Sequence, residues 1–171
     1  MKYIILFIAL MSHTSTFALE NLTGQGTRLV RAYTNQMEKL LGVKCVKFDG
    51  NYAGEIRMMG MCYRLQRHVN LEQARALYAY MTQEFLDLAN NDKKARIALH
   101  NYPATINNLN LRITFCDAKD MPLHSPCIAA ISVENEITKY YVVEKDLDFT
   151  LYFQEPYSET VSLAKSKSRE N

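Results

Sequence analysis

Cys116, His124 and Cys127 lie together in the proline-broken stretch CDAKDMPLHSPC. Two thiols and an imidazole so close could hold a metal, do nucleophilic or redox chemistry, or staple a hairpin. Zinc sites present cysteines as C-x2–4-C pairs, and here a seven-residue gap is followed by a two-residue gap. A catalytic thiol is expected as a single cysteine with a histidine and a third group, whereas this chain has four cysteines, Cys45, Cys62, Cys116 and Cys127. An even number favours disulfides in an oxidising compartment. If the loop folds its flanks into a hairpin, Cys116 lands opposite Cys127, close enough to bond, and Cys45 is left to pair with Cys62. The apolar residues prefer another register, Ile113 with Ile131 and Leu111 with Val133. It lies one residue away from the cysteine register, and such a slip turns side chains to the other face. A bulge near the loop would reconcile the two.

Other groups have weaker chemistry. Arg57, Arg64 and Arg67 on one strand, with Tyr102, are the candidates for contact with an anionic ligand. Solvent-facing arginines would look the same. The run MMGMC (58–62) offers thioethers and a thiol that suit Cu(I), but methionines more commonly fill cores. His68, His100 and His124 are isolated in sequence, and Glu134 and Glu136 flank a turn. An enzyme site would have to be assembled from scattered residues such as His100, Tyr102 and Arg112. No glycine-rich phosphate loop, G-x-S-x-G elbow or H-E-x-x-H pair occurs. No catalytic residue, metal or cofactor is expected from motifs.

The chain begins with Lys2, an apolar run Tyr3–Met11 and a polar exit ending at Ala18. That is the pattern of a signal peptide, and the run is too short to cross a bilayer, which takes about 20 residues. Residues 1–18 are read as a leader and 19–171 as one soluble domain, secreted or periplasmic. Asn21-Leu22-Thr23 matches a glycosylation acceptor. Losing Lys2 leaves the formal charge near +1, with no overall pull toward nucleic acid or anionic lipid. The distribution is uneven. Residues 22–68 carry eight basic against three acidic side chains, and residues 109–160 four against nine. This asymmetry could guide a charged partner; the plainer expectation is that the two segments meet across a sheet and neutralise each other.

These residues must be held by a small set of elements. Leu29, Val30, Tyr33, Met37, Leu40 and Leu41 give a helix over 24–41 with Gly42 as its stop. A strand at 43–48 should end at the Asp49-Gly50 turn, and a strand over 55–68 should carry a bulge near Gly60, where its apolar phase changes. Leu71, Ala74, Leu77, Met81, Phe85 and Leu88 write an amphipathic helix over 71–89, capped by Asn70 with Gln73. A weaker turn follows at 93–99. Strands are expected at 109–116, 127–133, 137–143 and 147–153, the last with Leu147, Phe149, Leu151 and Phe153 all on one face. A final short helix should start at Ser158. Short turns between strands imply an antiparallel sheet of five to six strands with two amphipathic helices on one face, a two-layer α+β fold.

The segment 71–115, with Tyr102, Pro103, Thr105 and Asn108 in a Tyr-Pro-x-Thr-x-x-Asn pattern ahead of an alternating strand, resembles a group of uncharacterised exported proteins of intracellular bacteria. The likeness extends over about residues 42–164. It implies a stand-alone exported domain and no particular activity. The expectation is a disulfide-stabilised binding module with a protein partner, ahead of an enzyme or a methionine-based copper carrier.

Overall fold

The computed structural model describes residues 24–51, 55–144 and 147–167; the leader expected over residues 1–18 and the glycosylation pattern at 21–23 lie outside them. Helix α1 covers residues 24–41 and stops as expected, with Gly42 at φ +68° donating its N–H to the Glu38 carbonyl at 3.1 Å. Strands β1 (Lys44–Asn51) and β2 (Met58–Gln66) follow, then α2 (Leu71–Asn91) and α3 (Lys93–Ala98). The chain closes with β3 (Leu109–Cys116), β4 (Ala130–Glu134), β5 (Ile137–Val143), β6 (Phe149–Pro156) and α4 (Tyr157–Lys167). The fold is α+β, and the six strands lie side by side in sequence order.

The sheet is mixed, not antiparallel throughout: β2 and β3 run parallel, and every other neighbouring pair is antiparallel. The cause is the connection. A tight turn reverses a chain, but α2 carries it back along the sheet before β3 begins, so both strands start from the same end. The α2 start follows the sequence closely, with Asn70 accepting from the Gln73 amide at 2.9 Å and Gln73 accepting from the Asn70 amide at 3.1 Å. At the β4–β5 hairpin, Asn135 and Glu136 both take positive φ, the two-residue turn whose twist suits antiparallel strands.

Alternation decides the buried face. Met59, Met61, Tyr63 and Leu65 of β2 are buried beside Leu109, Leu111, Ile113 and Phe115 of β3. Tyr33 of α1 meets Tyr63 of β2 and Phe85 of α2 edge-on, with centroids 6.5 and 5.0 Å away. The intervening side chains Arg64, Gln66, Asn110 and Arg112 are exposed on the opposite face. Three local expectations move. Strand β1 runs through Asp49 and Gly50 instead of turning there, and the bulge sits at Val46 in β1, leaving β2 regular at Gly60. A second bulge at Tyr152 breaks the β6 alternation, so Leu151 pairs with Tyr141 but Phe153 with Tyr140. Helix α4 begins at Tyr157, which places Ser158 inside it.

The Tyr-Pro-x-Thr-x-x-Asn pattern has a structural use. The Thr105 amide donates to Asn108 Oδ1 at 3.0 Å, the Asn107 amide to Thr105 Oγ1 at 3.3 Å, and Asn108 Nδ2 to the Arg57 carbonyl at 3.1 Å. The pattern thus caps the single 3-10 turn, Ile106–Asn108, that launches β3 and ties it to the start of β2.

One buried ionic group fastens β6 and α4 to the rest. Arg75 of α2 clasps Glu155 of β6 through two hydrogen bonds of 2.9 and 2.7 Å, and Tyr140 and Thr160 donate to the same carboxylate at 2.6 and 2.8 Å. Burial alone would push the Glu155 carboxyl up; Arg75, Tyr140 and Thr160 together hold it below the ordinary glutamate range. A lowered folded pKa gives stability that is present above the unfolded value, about 4.3, and is lost as pH falls through the folded one. Acid titration of wild-type protein should therefore show a stability loss below about pH 4 that Glu155→Gln lacks. At neutral pH Glu155→Gln should cost about 3–5 kcal/mol in denaturant unfolding, because it strands a largely buried guanidinium. A double replacement of Arg75 and Glu155 by methionine should cost less than that.

Candidate functional site

Strands β2, β3 and β5 end where β1, β4 and β6 begin, and this lower rim of the sheet gathers most of the unspent chemistry. At its β1 side, Lys44, Arg64 and Arg67 line an open groove of about 760 Å³ with Leu40, Leu41, Gly42, Gln66 and Asp120. Lys44 opens β1, and Arg64 is exposed because it alternates with buried Tyr63 and Leu65. Asp120 belongs to a tight turn after β3, at φ 61°. Its carboxylate accepts from Gln66 Nε2 at 3.1 Å and lies 3.9 Å from Arg64. Lys44 and Arg67 have no carboxylate partner among the described residues. Asp117 organises the turn by accepting from the Met121 and Lys119 amides at 3.0 and 2.8 Å, which holds its carboxyl below the usual range.

The expected anion contacts therefore separate. Arg64 and Arg67 share the groove. Arg57 sits at the other end of β2, 3.8 Å from Glu55, and Tyr102 stacks on Arg96 at 4.5 Å. The scattered enzyme set separates too: His100 bonds Glu55, Tyr102 is on Arg96, and Arg112 lies 5.4 Å over the Phe149 ring. The copper reading loses its cluster, because Met59 and Met61 are buried core residues and Met58 alone of the three is exposed. Among the described residues, no group of three or more His, Cys, Asp or Glu could hold a metal ion. No helix described is long and apolar enough to cross a membrane.

All four cysteines are free thiols, so the disulfide expectation is corrected. The register anticipated from the apolar residues is the one formed, with Ile113 opposite Ile131. Burying Leu111, Ile113 and Phe115 fixes it, and the opposition of Cys116 to Cys127 is lost with it. Cys116 instead pairs by backbone with Pro122, and its thiol donates to Asp120 at 3.8 Å. Cys127 sits 3.5 Å from His68 Nδ1. In the other pair the Val46 bulge divides the faces. Cys45 lies opposite Tyr63, facing the core, whereas Cys62 lies opposite Lys47 on the exposed face.

The two charged segments meet in the middle of the sheet, where β2 pairs with β3 and Arg64 lies 3.9 Å from Asp120. Their outer strands do not: β1 and β6 are the outermost strands and lie at opposite edges. At the acidic edge Glu144 and Asp148 are exposed beside the start of β6, and neither has a cationic partner among the described residues. The edge strand itself exposes Phe149, Leu151, Tyr152 and Phe153, with Tyr152 at 61%, and residues 149–154 carry no charge. Sequence alternation suggested a half-buried strand here. The missing signal was that β6 has a neighbour on one side only.

Searches of protein-family models, curated proteins and solved structures found no match to this chain.

Free thiols give a direct check. Denatured, unreduced protein should titrate four thiols. In the native state Cys116 should be alkylated last, because burial and the neighbouring Asp120 carboxylate push its thiol up and the loop covers it. Mass mapping of alkylated peptides over time measures the order.

Proposed function

We propose that the chain is an exported protein-binding module that holds its partner along the β6 edge. The observation that carries this reading is the edge itself: an eight-residue outer strand whose large side chains Phe149, Leu151, Tyr152 and Phe153 are all exposed. An outer strand offers a row of unpaired N–H and C=O groups, and soluble proteins usually blunt it with charge or cover it. Here residues 149–154 carry no charge and the described residues leave the large side chains uncovered, and exposed apolar area of this kind marks an interaction surface. A partner strand added to the edge would take main-chain hydrogen bonds for affinity and side-chain contacts for selectivity. Export rests on the leader-like start of the sequence, and the near-neutral charge favours a protein over a nucleic acid.

A photo-crosslinking residue placed at Tyr152 in cells tests the edge, with one at Ile97, an exposed α3 position, as control. Discrete adducts at 152 and none at 97 are expected; a bare chain at both positions would remove the reading. Amino-terminal sequencing of the mature protein should begin just after Ala18.

The enzyme reading has one observation in its favour, the 3.5 Å approach of the Cys127 thiol to the His68 imidazole. A cysteine beside a histidine is the pairing that nucleophilic thiol catalysis uses. This predicts that iodoacetamide alkylates Cys127 faster than Cys62 at neutral pH, and that His68→Ala abolishes the difference. Equal rates in the wild type would end the enzyme reading at this pair.

A further inference from the structure

We propose that the occupant of the β6 edge is the β1 edge of a second copy of this chain, so that copies join head to tail into one continuous sheet. The inference rests on the reading of β6 as a docking edge and names its partner. Three features of the fold support it.

The first is polarity. Following the pairings across the sheet, β1 and β6 run in the same direction. A copy placed beside another in the same orientation therefore sets β6 against the neighbour's β1 as a parallel pair. Both strands are eight residues long, and β1 has a strand neighbour on one side only; near its start the Cys45 amide donates to Glu38 of α1 at 3.0 Å, so the part of β1 free to pair begins beyond it.

The second is charge. Matched start to start, Lys44 comes beside Asp148 and Phe149 of the neighbour, and the unpartnered Arg67 stands close behind in the same groove. Asp120 already faces Arg64 in the groove; Glu144 and Asp148 of the neighbour add carboxylates on the side of Lys44 and Arg67, which have none among the described residues. Opposite charges across a contact select partner and register.

The third is side-chain character. Val46 and Phe48 are exposed on β1, at 47% and 44%, and fall beside Leu151 and Phe153 in that register. Phe48 pairs with Met61 and Phe153 with Tyr140, so both point to the buried side of their sheets. Each edge carries one bulge, at Val46 and at Tyr152, and a bulge twists an edge locally. The contact is heterologous and does not close, so the product is a twisted filament rather than a ring.

Sedimentation velocity on the purified protein over a wide concentration range tests this. The mass should grow beyond a dimer with concentration and fall with added salt. Tyr152→Lys combined with Leu151→Lys blocks β6; Val46→Glu combined with Phe48→Glu blocks β1. Each blocked protein should be monomeric, and their mixture should form a one-to-one dimer that grows no further. Lys44→Glu and Asp148→Lys, both exposed and away from the core, guard against misfolding. Each alone should weaken association about two- to five-fold, and mixing the two should recover it through one swapped contact. A wild-type monomer at every concentration, a β1-blocked protein that still dimerises, or a mixture that stays monomeric would each overturn the proposal. Crosslinks from residue 152 to a foreign protein, with the chain itself monomeric, would overturn this inference and leave the docking edge standing.

Discussion

A single helical crossover governs the architecture of this molecule. Because α2 carries the chain the length of the sheet between β2 and β3, those strands are parallel, while every hairpin reverses direction. One parallel pair among six strands is enough to make the outermost strands point the same way. It also collects the ends of β2, β3 and β5 at one rim, where the cationic groove, the Asp117–Asp120 turn and the Cys127–His68 contact are found. Ends of parallel strands that enter helices or loops are where open sheets commonly place their ligands.

β5 and β6 close the sheet on the side away from β1, and the Arg75–Glu155 pair ties that side to α2. Glu155 is nearly inaccessible and Arg75 only slightly exposed. Two charges so placed stabilise a fold only when their remaining hydrogen-bonding capacity is met. Tyr140 and Thr160 meet it for Glu155 from β5 and α4, and Tyr157 adds contacts to Thr82 and Gln83 on α2. This cluster makes β6 a firm edge, since its outer side chains are exposed while its end is bolted to the core.

Local signals in the sequence were dependable where a few neighbouring residues decide the outcome. The Asn70–Gln73 box, the Gly42 stop and the Ile113–Ile131 register are each set by sterics, hydrogen bonds or the burial of one strand face, and each formed. Long-range arrangement was less legible. The parallel pair followed from a connection whose consequence is topological, not compositional, and the placing of β1 and β6 at opposite edges with the same direction followed from that topology. The bulges at Val46 and Tyr152 left no mark in residue type. The candidate site suffered most. Arg64 and Arg67 were visible as charges, but Lys44 and Asp120 join them only through strand pairing and a turn. The cysteines misled because even number and spacing say nothing about which face each sulfur takes.

The Thr105–Asn108 cap bears on how kinship is judged from short patterns. Its hydroxyl, amide and carbonyl groups are all engaged in building the corner between the 3-10 turn and the parallel strands β2 and β3. A chain that repeats this spacing inherits a joint in the scaffold, and its biochemical trade has to be sought at the rim and along the edges instead.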